Sequence, residues 1–208
     1  MQYNEVMQNI YQAKGETLFE QYFDAGKLFR KNIQESVNIL AKKRAKLTVI
    51  RRQVAERSWN HILDKHECSE FRQCLRAWAS GAGITPMQAM WLLADNLSGC
   101  QSFIVRYGSG VALLHSEEEF IDNQHIELHM SDPMTIEFND HGALSFTLVY
   151  NNLMPGCGLY GFKEGFATAV DTLFVKEDKV NEVQEPLLAN MISWMIWRLP
   201  PEEAEPSR

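Results

Sequence analysis

The feature that most constrains this chain is an abrupt change of pattern at residue 100. Before it, apolar residues recur at three- and four-residue steps, as in Leu18, Phe19, Tyr22, Phe23, Leu28, Phe29, Ile33, Val37 and Leu40, the period of an amphipathic helix. After it, short runs of strand-forming residues alternate with turn residues. The first pattern predicts helix from Asn4 to about Ala79, interrupted at Gly15 and Gly26. Gly81 and Gly83 close that region. Thr85 as N-cap and Pro86 at the first helical position then open a short helix ending near Asn96. Beyond it, residues 100–114 read as a hairpin around Gly108-Ser109-Gly110, and 126–129, 135–138 and 144–150 read as strands, with Asn139-Asp140-His141-Gly142 as a turn. Residues 154–166 read as a glycine-rich loop, and 167–175 fit either strand or helix. A last helix is expected over 186–199. The fold class expected is α+β with a helical N-terminal half.

Charge divides at the same place. Residues 1–99 carry 14 basic and 10 acidic side chains, net +4, and residues 100–208 carry 6 and 17, net −11. Halves of opposite sign attract when they pack together. The net charge of −7 and a pI near 5.4 argue against a dedicated nucleic-acid binder. The basic stretch 42–57 keeps an apolar stripe through Leu47, Ile50 and Val54, so a solvated helix face accounts for it; a helical adaptor built on this stretch is the alternative. The apolar run 187–199 is shorter than a bilayer requires, and the amino terminus lacks a signal-peptide pattern. A cytoplasmic chain with no membrane partner is expected, and four scattered cysteines fit a reducing compartment.

Four groups of residues are candidates to carry chemistry. In Gly99-Cys100, at the border between helix and hairpin, a thiol follows the smallest residue. Its sulfur could attack the Gly99 carbonyl, and hydrolysis would free an amino-terminal Cys whose α-amine, with an ordinary pKa of about 7.7–8.0, can serve as base for its own thiol. A buried structural cysteine is the plain alternative. His125, Glu127 and His129 alternate and could ligate zinc from one strand face, although no fourth ligand is spaced nearby and a solvated strand face explains them as well. His61, His66, Cys68 and Cys74 fit no closed zinc spacing. Cys157, between two glycines, fits a small residue in a tight turn better than a reactive thiol. No cofactor or metal is expected.

Four stretches together resemble the acyl-coenzyme A:6-aminopenicillanic acid acyltransferase (isopenicillin N acyltransferase) family, peptidase C45-like members of the N-terminal nucleophile hydrolase superfamily. They are FEQYFDAGKLFRKNIQESV at 19–37, ITPMQAMWLLADNLSGCQSF at 84–103, GVALLHSEEEF at 110–120 and YNNLMPGCGLYGFKEGFATAVDTL at 150–173. The second resembles the family's helix leading into Gly-Cys-Thr-Ser, with Gln101-Ser102 in place of Thr-Ser. The third is similar to a strand ending in His-Asn-Glu-Asp, with Ser116 at the Asn position and Glu118 at the Asp position. In the fourth, Lys163 and Asp171 replace two expected asparagines.

The resemblance implies a four-layer αββα sandwich of the N-terminal nucleophile hydrolase type, truncated at the C-terminus. It implies cleavage between Gly99 and Cys100, with residues 1–99 a helical propeptide or small chain that stays docked, and 100–208 an incomplete strand-rich catalytic core. Cys100 would form an acyl-enzyme from an amide or thioester, resolved by water or an amine. Glu118 would hold the α-ammonium. Asp171 would stand near the oxyanion, where an ionised carboxylate cannot donate a hydrogen bond. The family continues through further strands after the point matched by RLPPEEAEPSR, so a homo-oligomer or a partner chain completing the sheet is expected. The departures at 118, 163 and 171 support a second reading, a truncated or degenerate relative that binds without turning over substrate.

Overall fold

The structure, a computed structural model, describes residues 10–42, 46–63, 65, 68–94, 98–108, 110–119, 134–150, 153–157, 160–163, 166–169, 194 and 198. It is a mixed α+β fold. Strand β1 (Ile10–Gln12) precedes five helices, α1 (Leu18–Leu28), α2 (Arg30–Lys42), α3 (Lys46–Leu63), α4 (Ser69–Ala82) and α5 (Pro86–Ala94). Six strands follow: β2 (Ser98–Tyr107), β3 (Gly110–Glu119), β4 (Met134–Asp140), β5 (Ala143–Val149), β6 (Tyr160–Lys163) and β7 (Phe166–Ala169). These five helices fall in the N-terminal half, as the periodicity predicts.

Helix ends follow local chemistry. Thr17 caps α1 reciprocally: its hydroxyl accepts the Glu20 N–H at 3.3 Å, and the Glu20 carboxylate accepts the Thr17 N–H at 3.0 Å. Thr85 and Gln88 repeat the arrangement at α5, just ahead of Pro86. At the end of α4 Gly83 takes a left-handed φ of 72°. The carbonyls that α4 cannot satisfy internally are met from α2, where the Arg30 guanidinium donates twice to Gly81 O and the Gln34 amide donates to Ala82 O at 2.9 Å.

The described strands form a five-stranded sheet in the order β1-β4-β5-β6-β7 and a separate β2-β3 hairpin. β1 runs parallel to β4 and the other neighbours are antiparallel. The β4–β5 turn is made by His141 and Gly142 at φ 52° and 93°, the paired positive values that suit a two-residue hairpin loop. One sheet face carries Ile136 and Phe138 opposite Thr147 and Ser145, all buried. Tyr22 of α1 packs there, its ring 4.9 Å from that of Phe138. Gln21 clasps the end of β4, accepting the Asn139 N–H at 2.9 Å and donating to Asn139 O at 2.7 Å. Helices and sheet share one apolar core, from Leu18, Tyr22 and Ile33 through Phe71, Trp78 and Met90 to Ile136, Phe138 and Met154.

Three expectations are corrected. The helix expected from Asn4 is replaced by strand β1 at Ile10–Gln12, because β4 offers it a ladder: Tyr11 pairs with Ile136, and its hydroxyl donates to Asp24 at 2.6 Å. Gly26, expected to interrupt the helix, lies inside α1. The stretch expected as loop over 154–166 contains β6 and the first residue of β7, with β6 paired to β5 at Phe146–Phe162. The ambiguous stretch after 166 begins as strand β7. Of the final helix expected over 186–199, the described residues Trp194 and Arg198 are helical, and the proposed strand 126–129 lies outside the described residues. No helix among the described residues is long and apolar enough to cross a membrane.

Candidate functional site

Gly99 and Cys100 lie at the start of β2, two and three residues after α5's last turn and the short connection that follows it are passed, and directly against the far end of β3. Tyr107 at the end of β2 pairs with Gly110 at the start of β3, and every later pair follows from that register. Gly108 adopts φ 54° there. Counting back along the ladder, Cys100 pairs with Glu117, Gly99 with Glu118 and Ser98 with Glu119. Three consecutive carboxylate-bearing positions therefore stand across from the three residues that span the Gly99–Cys100 peptide.

The register places different residues opposite Gly99 and Cys100. Directly opposed positions share a face of an antiparallel ladder and successive positions alternate. Glu118 is thus the partner of the residue whose carbonyl would be attacked. Glu117 is the partner of the residue that carries the sulfur. Ser116 pairs with Gln101 and His115 with Ser102. No sequence motif singles out Glu117; its place opposite Cys100 follows from counting back along the ladder from the Tyr107–Gly110 pair.

Of the other residues matched by the resemblance, Lys163 ends β6 and pairs with Ser145, in the five-stranded sheet and not in the hairpin. β7, two residues further on, lies beside β3. Asp171 lies outside the described residues, as do His66, His125, Glu127 and His129. His61 lies in α3, Cys68 caps α4 and Cys74 lies within α4. Among the described residues no cluster of three His, Cys, Asp or Glu side chains is arranged to hold a metal ion.

Cys157 sits in a closed turn. Its N–H donates to Met154 O at 3.0 Å, and the preceding Gly156, at φ 80°, donates to the Thr147 hydroxyl at 3.1 Å. Burial first, and the neighbouring Cys74 second, push its thiol well above the ordinary value. Cys74 is raised too, by burial and then by the charge of Glu70. Neither thiol suits a nucleophile, since reactive cysteines need the opposite surroundings. The Tyr22 hydroxyl, also raised by burial, donates to Pro155 O at 3.0 Å and accepts from Trp194 Nε1 at 2.6 Å. Beside it Arg198 bridges Asp140 and Glu70 at 2.7 and 3.1 Å. These contacts tie the turn at 153–157 and residues 194 and 198 to α1 and α4.

Comparison with protein-family models, with curated proteins and with solved structures gave no match for this chain.

Proposed function

We propose that the chain is the precursor of a cysteine N-terminal nucleophile acyltransferase or amidohydrolase, cleaved between Gly99 and Cys100 and acting on amide or thioester bonds. The observation that supports this reading is the β2–β3 register, in which Gly99 faces Glu118 and Cys100 faces Glu117 across the ladder. Glu118, opposite Gly99 at the cleaved bond, would accept hydrogen bonds from the new amino terminus and hold it in place. The α-amine then takes the thiol proton as Cys100 attacks the acyl donor, and returns it to the leaving group. Water gives hydrolysis and an amine gives transfer.

Under this reading the five-stranded sheet and its helix layer are one half of an αββα sandwich, of which the β2–β3 hairpin begins the second sheet. Residues 1–99 remain as a small chain after cleavage, held by β1, Gln21 and Tyr22. A homo-oligomer or a partner chain would cover the remaining sheet, and the setting is cytoplasmic. The test is acyl trapping: incubation with simple amides and thioesters should add one acyl mass to the peptide beginning at Cys100, and Cys100→Ala should take up none.

One observation supports a non-catalytic relative instead. Ser98, Gly99 and Cys100 all lie in regular antiparallel pairing, so the bond to be cleaved is braced by its neighbours. A chain that binds a partner but neither cleaves nor accepts an acyl group would fit that bracing.

A further inference from the structure

Cleavage of the precursor poses a problem that the mature mechanism does not solve. Before cleavage the Cys100 nitrogen is an amide, so the α-amine cannot act as base, and another group must take the thiol proton. We propose that Glu117, the register partner of Cys100, is that base; this rests on the reading of Cys100 as an N-terminal nucleophile. Cys100 and Glu117 are directly opposed in the antiparallel ladder, and opposed positions share one face of it. Glu118, opposite Gly99, occupies the other face. The remaining titratable positions on the Cys100 face are diagonal to it: Glu119, opposite Ser98, and His115, opposite Ser102. Further along β2 on that face is Arg106. The described part of the neighbouring β7, FATA, contributes no titratable residue.

The step balances without a co-reactant other than water. The Cys100 thiol proton passes to Glu117 as sulfur bonds to the Gly99 carbonyl carbon. The carbon–nitrogen bond then breaks while Glu117 returns the proton to the departing nitrogen, leaving Gly99 as a thioester on Cys100. Water hydrolyses that thioester to a Gly99 carboxylate and the free thiol, and the new α-amine is available from then on. Glu117 is therefore needed for the first turnover only, which separates it from Glu118.

The experiment follows cleavage of the full-length chain by intact mass against time and pH, in wild type and in Glu117→Gln, Glu117→Asp, Glu119→Gln and His115→Asn. Glu117→Gln should slow cleavage by about 10²-fold, the usual scale of a general base, and lose the rise in rate through the carboxylate range. Glu117→Asp should keep that rise at a lower rate, and the two diagonal variants should stay within about threefold of wild type. Circular dichroism verifies folding; if Glu117→Gln is unfolded, the pH profile of Glu117→Asp decides, and a profile without the carboxylate rise overturns the proposal. Cleavage of folded Glu117→Gln at the wild-type rate, or equal slowing in Glu119→Gln or His115→Asn, overturns the assignment of Glu117 while leaving the nucleophile intact. A wild-type chain that stays whole overturns the nucleophile reading itself, and this assignment with it.

Discussion

Gly26 of α1 and Gly81 of α4 are reciprocal approach points of one helix crossing, each lying against the backbone of the other helix. A Cβ on Gly26 would run into the carbonyl oxygen of Trp78, and one on Gly81 into the carbonyl oxygen of Phe23. The two helices are in this sense keyed reciprocally, each glycine lying under the other helix's main chain. Ala25, Ala79 and Ala82 complete the close crossing, all fully buried.

Gly81→Ala and Gly26→Ala should each lower stability by about 2–3 kcal/mol, because the obstacle is backbone and cannot rotate aside. Gly108→Ala, at φ 54° with open space around it, should cost only about 1 kcal/mol through its dihedral. Urea unfolding of the three variants measures the contrast. Equal losses at all three positions would mean that the crossing tolerates a methyl group.

Tyr22→Phe should cost about 2–4 kcal/mol. The ring keeps its packing on Phe138, while the Pro155 carbonyl and Trp194 Nε1 lose their partner in a buried setting. Thermal unfolding followed by tryptophan fluorescence reports the loss. A variant as stable as wild type would show that neither group depends on the hydroxyl.

Two groups contribute to opposite limbs of the pH dependence. Hydrogen bonds from the Thr17 and Glu16 main chain hold the Glu20 carboxyl below its ordinary 4.5, so its contribution is present above 4.5 and is lost as the pH falls through the depressed folded value. For Tyr11, burial, aided by Asp24, pushes the phenol from 10.0 up to about 12. Its contribution is complete below 10.0 and is lost as the pH rises through about 12. Glu20→Gln should flatten the acid limb of the unfolding midpoint, and Tyr11→Phe the alkaline limb. Limbs that survive these substitutions would assign them to other groups.

Cys74 and Cys157 should resist iodoacetamide in the folded chain at neutral pH, reacting at least about 10²-fold more slowly than in urea, because both thiols are buried and raised. Peptide mapping after timed alkylation measures this. Rapid labelling of Cys157 would mean that the turn at 153–157 opens readily.

Much of this fold is local in origin and so can be read from the chain. The Thr85-Pro86 start of α5, the hairpin at Gly108 and the turn at His141-Gly142 each depend on a few adjacent residues. What could not be read depends on distant partners. The three residues Ile10–Gln12 become a strand only because β4, more than a hundred residues later, supplies the ladder. Gly26 reads as a helix breaker until α4 is laid across it, where closeness of approach outweighs its intrinsic cost in a helix. The Gln21–Asn139 clasp and the Arg198 bridge join residues that no spacing rule connects. At the candidate site, Gly99-Cys100 is legible as a motif, and Glu118 was assigned by its resemblance to a family position. The pairing of Cys100 with Glu117 follows from strand register, which the motif does not contain.

Under the proposed function Cys100 is a nucleophile that frees its own amino terminus. Intact-mass spectrometry of the purified chain, held at neutral pH beside Cys100→Ala, tests it most directly. The account predicts two chains from the wild type, the larger beginning Cys-Gln-Ser-Phe, and a single whole chain from the variant. A wild-type chain that stays whole at 23.9 kDa, or a variant that is cut at the same bond, would contradict it.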